Sequence, residues 1–163
     1  MKYDLLIRNA TVIDGTRAPR FAADIAVMNG CIATIGPLKS ERAGMEIDAR
    51  GRIVAPGFID AHTHDDRLML SAPEMTPKVS QGVTTVVAGN CGISLAPAPR
   101  GMDQPVPPLD LLDENGRWFR FTSFRDYVAA LRDQPAATNC ALLAGHTLMR
   151  QKASPPAHAP GRC

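Results

Sequence analysis

The sequence predicts an α/β chain in two parts, a small β-sheet unit over residues 1–56 and the opening strands of a parallel sheet over 57–147. Three observations carry this. Residues 4–55 are short apolar runs divided by turn residues. Pro56-Gly57 breaks that pattern. From Phe58 onward, strand-type and helix-type segments alternate, as a parallel sheet with crossover helices requires.

In the first part, Asp4–Arg8 and Thr11–Asp14 read as strands parted by Asn9-Ala10 and followed by Gly15. Asp24–Met28 and Cys31–Ile35 flank Asn29-Gly30, the strongest hairpin signal in the chain. A two-residue turn of this kind needs positive φ at both positions, and these two residues tolerate it. Glu46–Asp48 and Ile53–Ala55 extend the pattern around Gly51. The expectation is a small antiparallel sheet, as a meander or part of a sandwich.

In the second part, Phe58–His62 reads as a strand and Pro73–Ser80 as a short helix closed by Gly82. Val83–Ala88 is a β-branched run typical of a buried strand. Five prolines within residues 96–108 require loop. Ser123–Arg132 reads as a helix, with Phe124, Tyr127, Val128 and Leu131 at helical spacing and Ser123 or Thr122 as its cap. Asn139–Ala144 completes the series as a third buried-type strand. Residues 148–163 lack apolar periodicity, and nine of the sixteen are Ala, Pro, Arg or Gly. They read as a tail, either disordered or out of frame.

Composition narrows the function. The chain has 163 residues, 45% hydrophobic and 21% charged, with a net charge of +2 and no segment that concentrates Lys and Arg. Nucleic-acid and membrane-surface partners both need such a cluster and are not expected. The apolar start before Arg8 is too short for a signal-peptide core, and no run approaches the roughly 20 residues of a membrane span, so the cytoplasm is the expected location. Cys31, Cys91, Cys140 and Cys163 show no pairing pattern, which favours buried thiols or a metal ligand over disulfides.

Chemistry concentrates in Asp60-Ala61-His62-Thr63-His64-Asp65-Asp66. Side chains two apart on a strand point the same way, so His62 and His64 can aim at one point beyond the strand's C-terminal end. In a parallel barrel, active sites lie at that end. Neutral imidazoles suit Zn2+, with Zn–N distances of about 2.0–2.1 Å. Cys91, in Gly89-Asn90-Cys91-Gly92, sits just past the next strand, and thiolate is a strong zinc ligand. A lone cysteine is otherwise a small buried hydrophobe, the reading that fits Cys31 and Cys140. His146 ends the third strand. It could contact substrate or metal, and a hydrogen bond to nearby backbone is the preferred reading.

These segments resemble the amidohydrolase superfamily. The likeness runs through residues 3–15, through Ile53-Val54-Ala55-Pro56-Gly57-Phe58-Ile59-Asp60-Ala61-His62-Thr63-His64, and on to about residue 147. His-Thr-His-Asp-Asp (62–66), Gly-Val-Thr-Thr-Val-Val (82–87) and Gly-Asn-Cys-Gly-Ile-Ser (89–94) resemble the N-acyl-D-amino-acid deacylase branch in particular. The resemblance implies a small β-sandwich attached to a (β/α)8 barrel, of which this chain carries about three strands of eight. It implies a hydrolase of linear amides that releases a free D-amino acid, with a zinc cofactor and with His62, His64 and Cys91 as metal ligands. Further ligands and the general base are expected beyond the end of this chain, which makes the chain a fragment, inactive alone. A cyclic-amide hydrolase of the hydantoinase or dihydroorotase kind and a non-catalytic metal-binding remnant are the alternatives.

Overall fold

The computed structural model describes residues 2–100, 102 and 104–153. The chain divides into two compact units, residues 1–56 and 57–163.

The first unit is one five-stranded sheet. Its strands are β1 (Lys2–Val12), β2 (Phe21–Met28), β3 (Cys31–Gly36), β4 (Arg42–Asp48) and β5 (Ile53–Val54), in the order β3-β2-β1-β4 with β5 also on β1. Asn29 and Gly30 adopt φ of 54° and 74° and close the β2–β3 hairpin as expected. The sheet differs from expectation in two ways. First, β1 is a single strand: Asn9, at φ 55°, forms a bulge between Ile7 and Ala10 instead of a break. Its backbone N–H donates to Asp24 Oδ1 and its side chain to Asp48 Oδ1, so the strand stays paired on both sides. Second, the sheet is mixed, because β4 and β5 run parallel to β1. Residues 37–41 carry the chain past two strands to the far side of β1. Arg8 fixes that crossing by donating to Leu38 O, Glu41 O and Glu46 Oε2 at 2.7–2.9 Å.

The sheet packs through two small apolar clusters, Leu6 with Ala26 and Leu38, and Ala10 with Val12, Ile25 and Ala49. Ile32, Met45 and Ile53 are more than half exposed.

The second unit is a parallel three-stranded sheet, β6 (Phe58–Asp60), β7 (Val83–Ala88) and β8 (Asn139–Leu142), with β7 central. Between β6 and β7 lie two single-turn helices, α1 (Leu68–Ser71) and α2 (Thr76–Val79). The described residues of 93–122 are mostly loop, with a 3-10 turn at Leu109–Leu111, and lead to α3 (Phe124–Asp133). Ser123 caps α3, its Oγ accepting from Asp126 N at 3.1 Å. Tyr127 and Leu131 turn inward to a core that includes Met69, Met75, Val86 and Ile93. The proline-rich segment is partly built into this core, since Leu95, Ala96 and Ala98 are fully buried.

Three expectations are corrected. β8 is an edge strand, and its Asn139, Cys140 and Ala141 are exposed among the described residues, so β-branched character predicted burial only for β7. Cys31 and Cys140 are exposed thiols, each on an edge strand of its sheet. Leu148–Ala153 belong to a helix, α4 (His146–Ala153), which buries Leu148 in the core. The remainder of the expected tail, 154–163, lies outside the described residues, as does Cys163.

Candidate metal centre

β6 ends at Asp60, and the chain continues past the end of the sheet through a bend at His62 and a turn over 65–67. Thr63 donates its backbone N–H to Val87 O at 3.1 Å and buries its side chain, which prolongs the pairing with β7. His62 and His64, on either side of it, bring their rings to 5.7 Å between centroids, with the planes at 79°.

Cys91 approaches from the end of β7. It sits in a 3-10 turn, Asn90–Gly92, where Gly89, Cys91 and Gly92 have φ of 85°, 55° and 76°. Glycine accepts such angles freely, but cysteine is strained there. The turn is held from below. A Cβ at Gly89 would run into the Leu143 carbonyl oxygen, and Asn90 Nδ2 donates to Val87 O at 2.6 Å. The strained backbone delivers Cys91 Sγ to 3.0 Å from His62 Nε2. One ligand atom each from His62, His64 and Cys91 then lies within 4.8 Å of the others.

The surroundings are charged and organised. On one side, Lys78 of α2 reaches Asp60 Oδ2 at 2.7 Å, Asp65 Oδ2 at 3.0 Å and Thr63 Oγ1 at 3.2 Å. The hydrogen bond from Lys78 holds the Asp60 carboxyl below the usual carboxylate range, against partial burial. Burial pulls the Lys78 ammonium down, but its hydrogen bond to Asp60 and its ion pair with Asp65 outweigh this and leave it above the ordinary lysine value. Asp66 is fully buried and accepts from Gly89 N at 3.3 Å, while the Tyr127 hydroxyl donates to the Asp66 carbonyl at 3.0 Å. Burial pushes the Asp66 carboxyl up to about 6. Beside His64, a cleft of about 440 Å3 opens between Arg67, Leu68 and residues 110–115.

The residues expected to converge from the sequence, His62, His64 and Cys91, are therefore together. His146 differs from expectation: it is exposed, begins α4, and its ring has no hydrogen bond among the described residues. The sequence reading missed Lys78, and it placed Asp65 and Asp66 in the motif without giving either a role. One signal was available, a run of five polar residues (62–66) at the end of an apolar strand, too polar to be only a surface turn.

Two nitrogen donors and one sulfur donor within 4.8 Å make a borderline-soft set of the kind zinc takes. His64 Nδ1 is buried with no hydrogen-bond partner among the described residues, leaving a lone pair or proton unanswered beside the cluster. The donor set fits a divalent transition metal.

The sequence profile of the amidohydrolase family matches residues 45–151. The chain belongs to that family. Within it, the likeness is to the N-acyl-D-amino-acid deacylases. A D-aminoacylase of Alcaligenes xylosoxydans xylosoxydans is 52% identical over 94% of this chain and 31% of its own length. An N-acyl-D-aspartate deacylase of the same organism is 52% identical over 90% of this chain and 29% of its own length. A crystal structure of D-aminoacylase superposes with a TM-score of 0.87 over 94% of this chain and 32% of that one, at 52% identity. An N-acyl-D-glutamate deacylase from Bordetella bronchiseptica, complexed with zinc and a phosphonate mimic of the tetrahedral intermediate, superposes with the same score of 0.87 at 45% identity, over 95% of this chain and 32% of that one. This amidohydrolase chain thus spans about a third of the length of the relatives it matches, and its parallel strands are the opening strands of the amidohydrolase barrel. Among the described residues, no helix is long and apolar enough to cross a membrane.

Proposed function

We propose that this chain carries the first metal ligands of a zinc-dependent hydrolase that cleaves the amide of N-acyl-D-amino acids. The observation that supports this best is the meeting of Cys91 with His62 and His64, ligand atoms within 4.8 Å, at the C-terminal end of parallel strands. The resemblance separates the two types by ligand set: the deacylase branch places a cysteine among its ligands, whereas hydantoinases typically bridge two metals with a carboxylated lysine.

Zinc, when bound, supplies Lewis acidity toward the acyl carbonyl and toward an attacking water. The chain's own residues do the rest of what this reading assigns. His62 and His64 donate from nitrogen. Cys91 gives up its thiol proton to donate from sulfur, and the strained turn at residues 89–92 keeps that sulfur facing His62. Lys78 neutralises Asp60 and Asp65 beside the two imidazoles. The cleft between Arg67 and residues 110–115 opens directly beside His64 and gives a small amide substrate a way in. No catalytic base is assigned to any of these residues. A cytoplasmic location belongs to the same reading, supported by Cys31, Cys91 and Cys140 all being free thiols.

The test is a graft. Residues 1–151 of this chain replace the aligned segment of the Alcaligenes D-aminoacylase, and release of free amino acid is followed with N-acetyl-D-methionine, its L-enantiomer and a hydantoin. D-selective turnover that is lost in Cys91→Ala and His62→Ala supports the proposal. Turnover of the hydantoin alone, or turnover that survives Cys91→Ala, overturns it. The 163-residue chain by itself is expected to hydrolyse no faster than a zinc blank.

A further inference from the structure

We propose that Lys78 is a positioning residue for the metal centre: it clamps the segment that carries His62 and His64 and thereby sets how tightly the centre holds its ion. The inference rests on the metal-site reading above.

Lys78 Nζ touches residues 60, 63 and 65, at 2.7 Å to Asp60 Oδ2, 3.2 Å to Thr63 Oγ1 and 3.0 Å to Asp65 Oδ2. These three positions bracket both histidines. His62 lies between Asp60 and Thr63, and His64 lies between Thr63 and Asp65. Asp60 passes the constraint on, since its other oxygen accepts from the His62 backbone N–H at 3.3 Å. The base of the clamp is anchored. Lys78 stands on α2, whose preceding residue, Met75, is fully buried and accepts the backbone N–H groups of Lys78 and Val79 at 2.9 Å. The ammonium itself is largely covered, with 21% of the side chain exposed, against 29% for Asp60 and 15% for Asp65.

Two consequences follow for an ion held by His62, His64 and Cys91. Among the described residues, the segment past β6 pairs with β7 only through Thr63 N–H to Val87 O, and the ties at Asp65 O and Asp66 lie beyond His64, so without Lys78 the two imidazoles lose the side-chain restraint that brackets them. Lys78 also occupies two carboxylates that flank the imidazoles and would otherwise compete for the ion as oxygen ligands. Outer partners of this kind change metal affinity by about tenfold to a hundredfold when removed.

The experiment is a cobalt(II) titration of the chain, followed by visible absorption and by the near-ultraviolet thiolate-to-cobalt charge-transfer band, together with thermal unfolding. Lys78→Met is expected to weaken cobalt binding by about tenfold or more and to alter the visible bands, with Lys78→Arg recovering part of the affinity. A residue that merely stabilised the fold would lower the melting temperature and leave affinity and spectrum of the folded protein unchanged, and that result overturns the proposal. If Lys78→Met does not fold, Asp65→Asn, which removes one arm of the clamp at constant volume, is expected to weaken binding several-fold, and unchanged affinity overturns the proposal instead. Failure of the unaltered chain to bind cobalt at all overturns the metal-site reading, a result distinct from any change confined to the variants.

Discussion

His62 Nε2 and Cys91 Sγ lie 3.0 Å apart although 29 residues separate them in the chain. The contact is made by two neighbouring parallel strands ending side by side, one running into a bend at His62 and the other into a left-handed turn. An imidazole and a thiol at this distance are within hydrogen-bond reach, and a metal ion taken up between them requires the sulfur as thiolate and a free imidazole lone pair. Zinc binding is therefore expected to release protons and to weaken as the solution is acidified. Calorimetric titration in buffers of different ionisation enthalpy measures this, and a heat of binding that does not vary with the buffer contradicts it.

The turn that presents Cys91 stores backbone strain. At φ 55°, a residue with a Cβ is disfavoured by about 1–2 kcal/mol relative to glycine. Cys91→Gly is accordingly expected to be more stable than Cys91→Ala by about 1 kcal/mol in urea unfolding, although both lose the thiol. Equal stabilities would mean that the left-handed conformation is not retained in solution.

Gly89 is constrained twice, by φ of 85° and by the Leu143 carbonyl oxygen where a Cβ would stand. Gly89→Ala must move β8 or the turn. The expected cost is roughly 3 kcal/mol or more, the range of strained backbone and overpacking combined. A denaturation midpoint close to that of the unaltered chain would show that the turn and the Leu143 backbone just past β8 are not in contact.

Ile32, Met45 and Ile53 in the first unit, and Phe58 and Ile59 in the second, are each more than half exposed. Apolar surface of this kind and an open strand edge at β8 both recruit other chains. Light scattering coupled to size-exclusion chromatography is expected to show self-association that falls when Ile32 and Met45 are replaced by lysine. A sharp monomer peak for the unaltered chain contradicts the expectation.

Much of the fold was legible because local chemistry decides it. Asn29-Gly30 dictates a hairpin, Ser123 caps a helix whose apolar residues recur at helical spacing, and the β-branched run 83–88 becomes the central strand. What was not legible depended on distant partners. Asn9 looks like a break until Asp24 and Asp48 are seen to pair with it across the sheet. The parallel placement of β4 depends on Arg8 gripping the 37–41 crossing, which no local pattern encodes. Leu148–Ala153 looked like tail because a single buried leucine anchors that helix, too little for a periodic signal.

The candidate site divides the same way. His62 and His64 were legible from a spacing of two at a strand end, and Cys91 from its place after the next strand. The expected strand stops at Asp60, however, and the two rings converge because Thr63 continues the pairing. Lys78 was not legible, because its sixteen-residue separation from His62 gives no sequence sign that α2 turns back on the same segment.

Zinc K-edge X-ray absorption of the metal-loaded chain tests the central claim most directly. The account predicts a shell of one sulfur at about 2.3 Å together with nitrogen or oxygen at about 2.0–2.1 Å, with the sulfur lost in Cys91→Ala and the imidazole scattering reduced in His62→Ala. A first shell of oxygen and nitrogen alone in the unaltered chain, indifferent to Cys91→Ala, would contradict it.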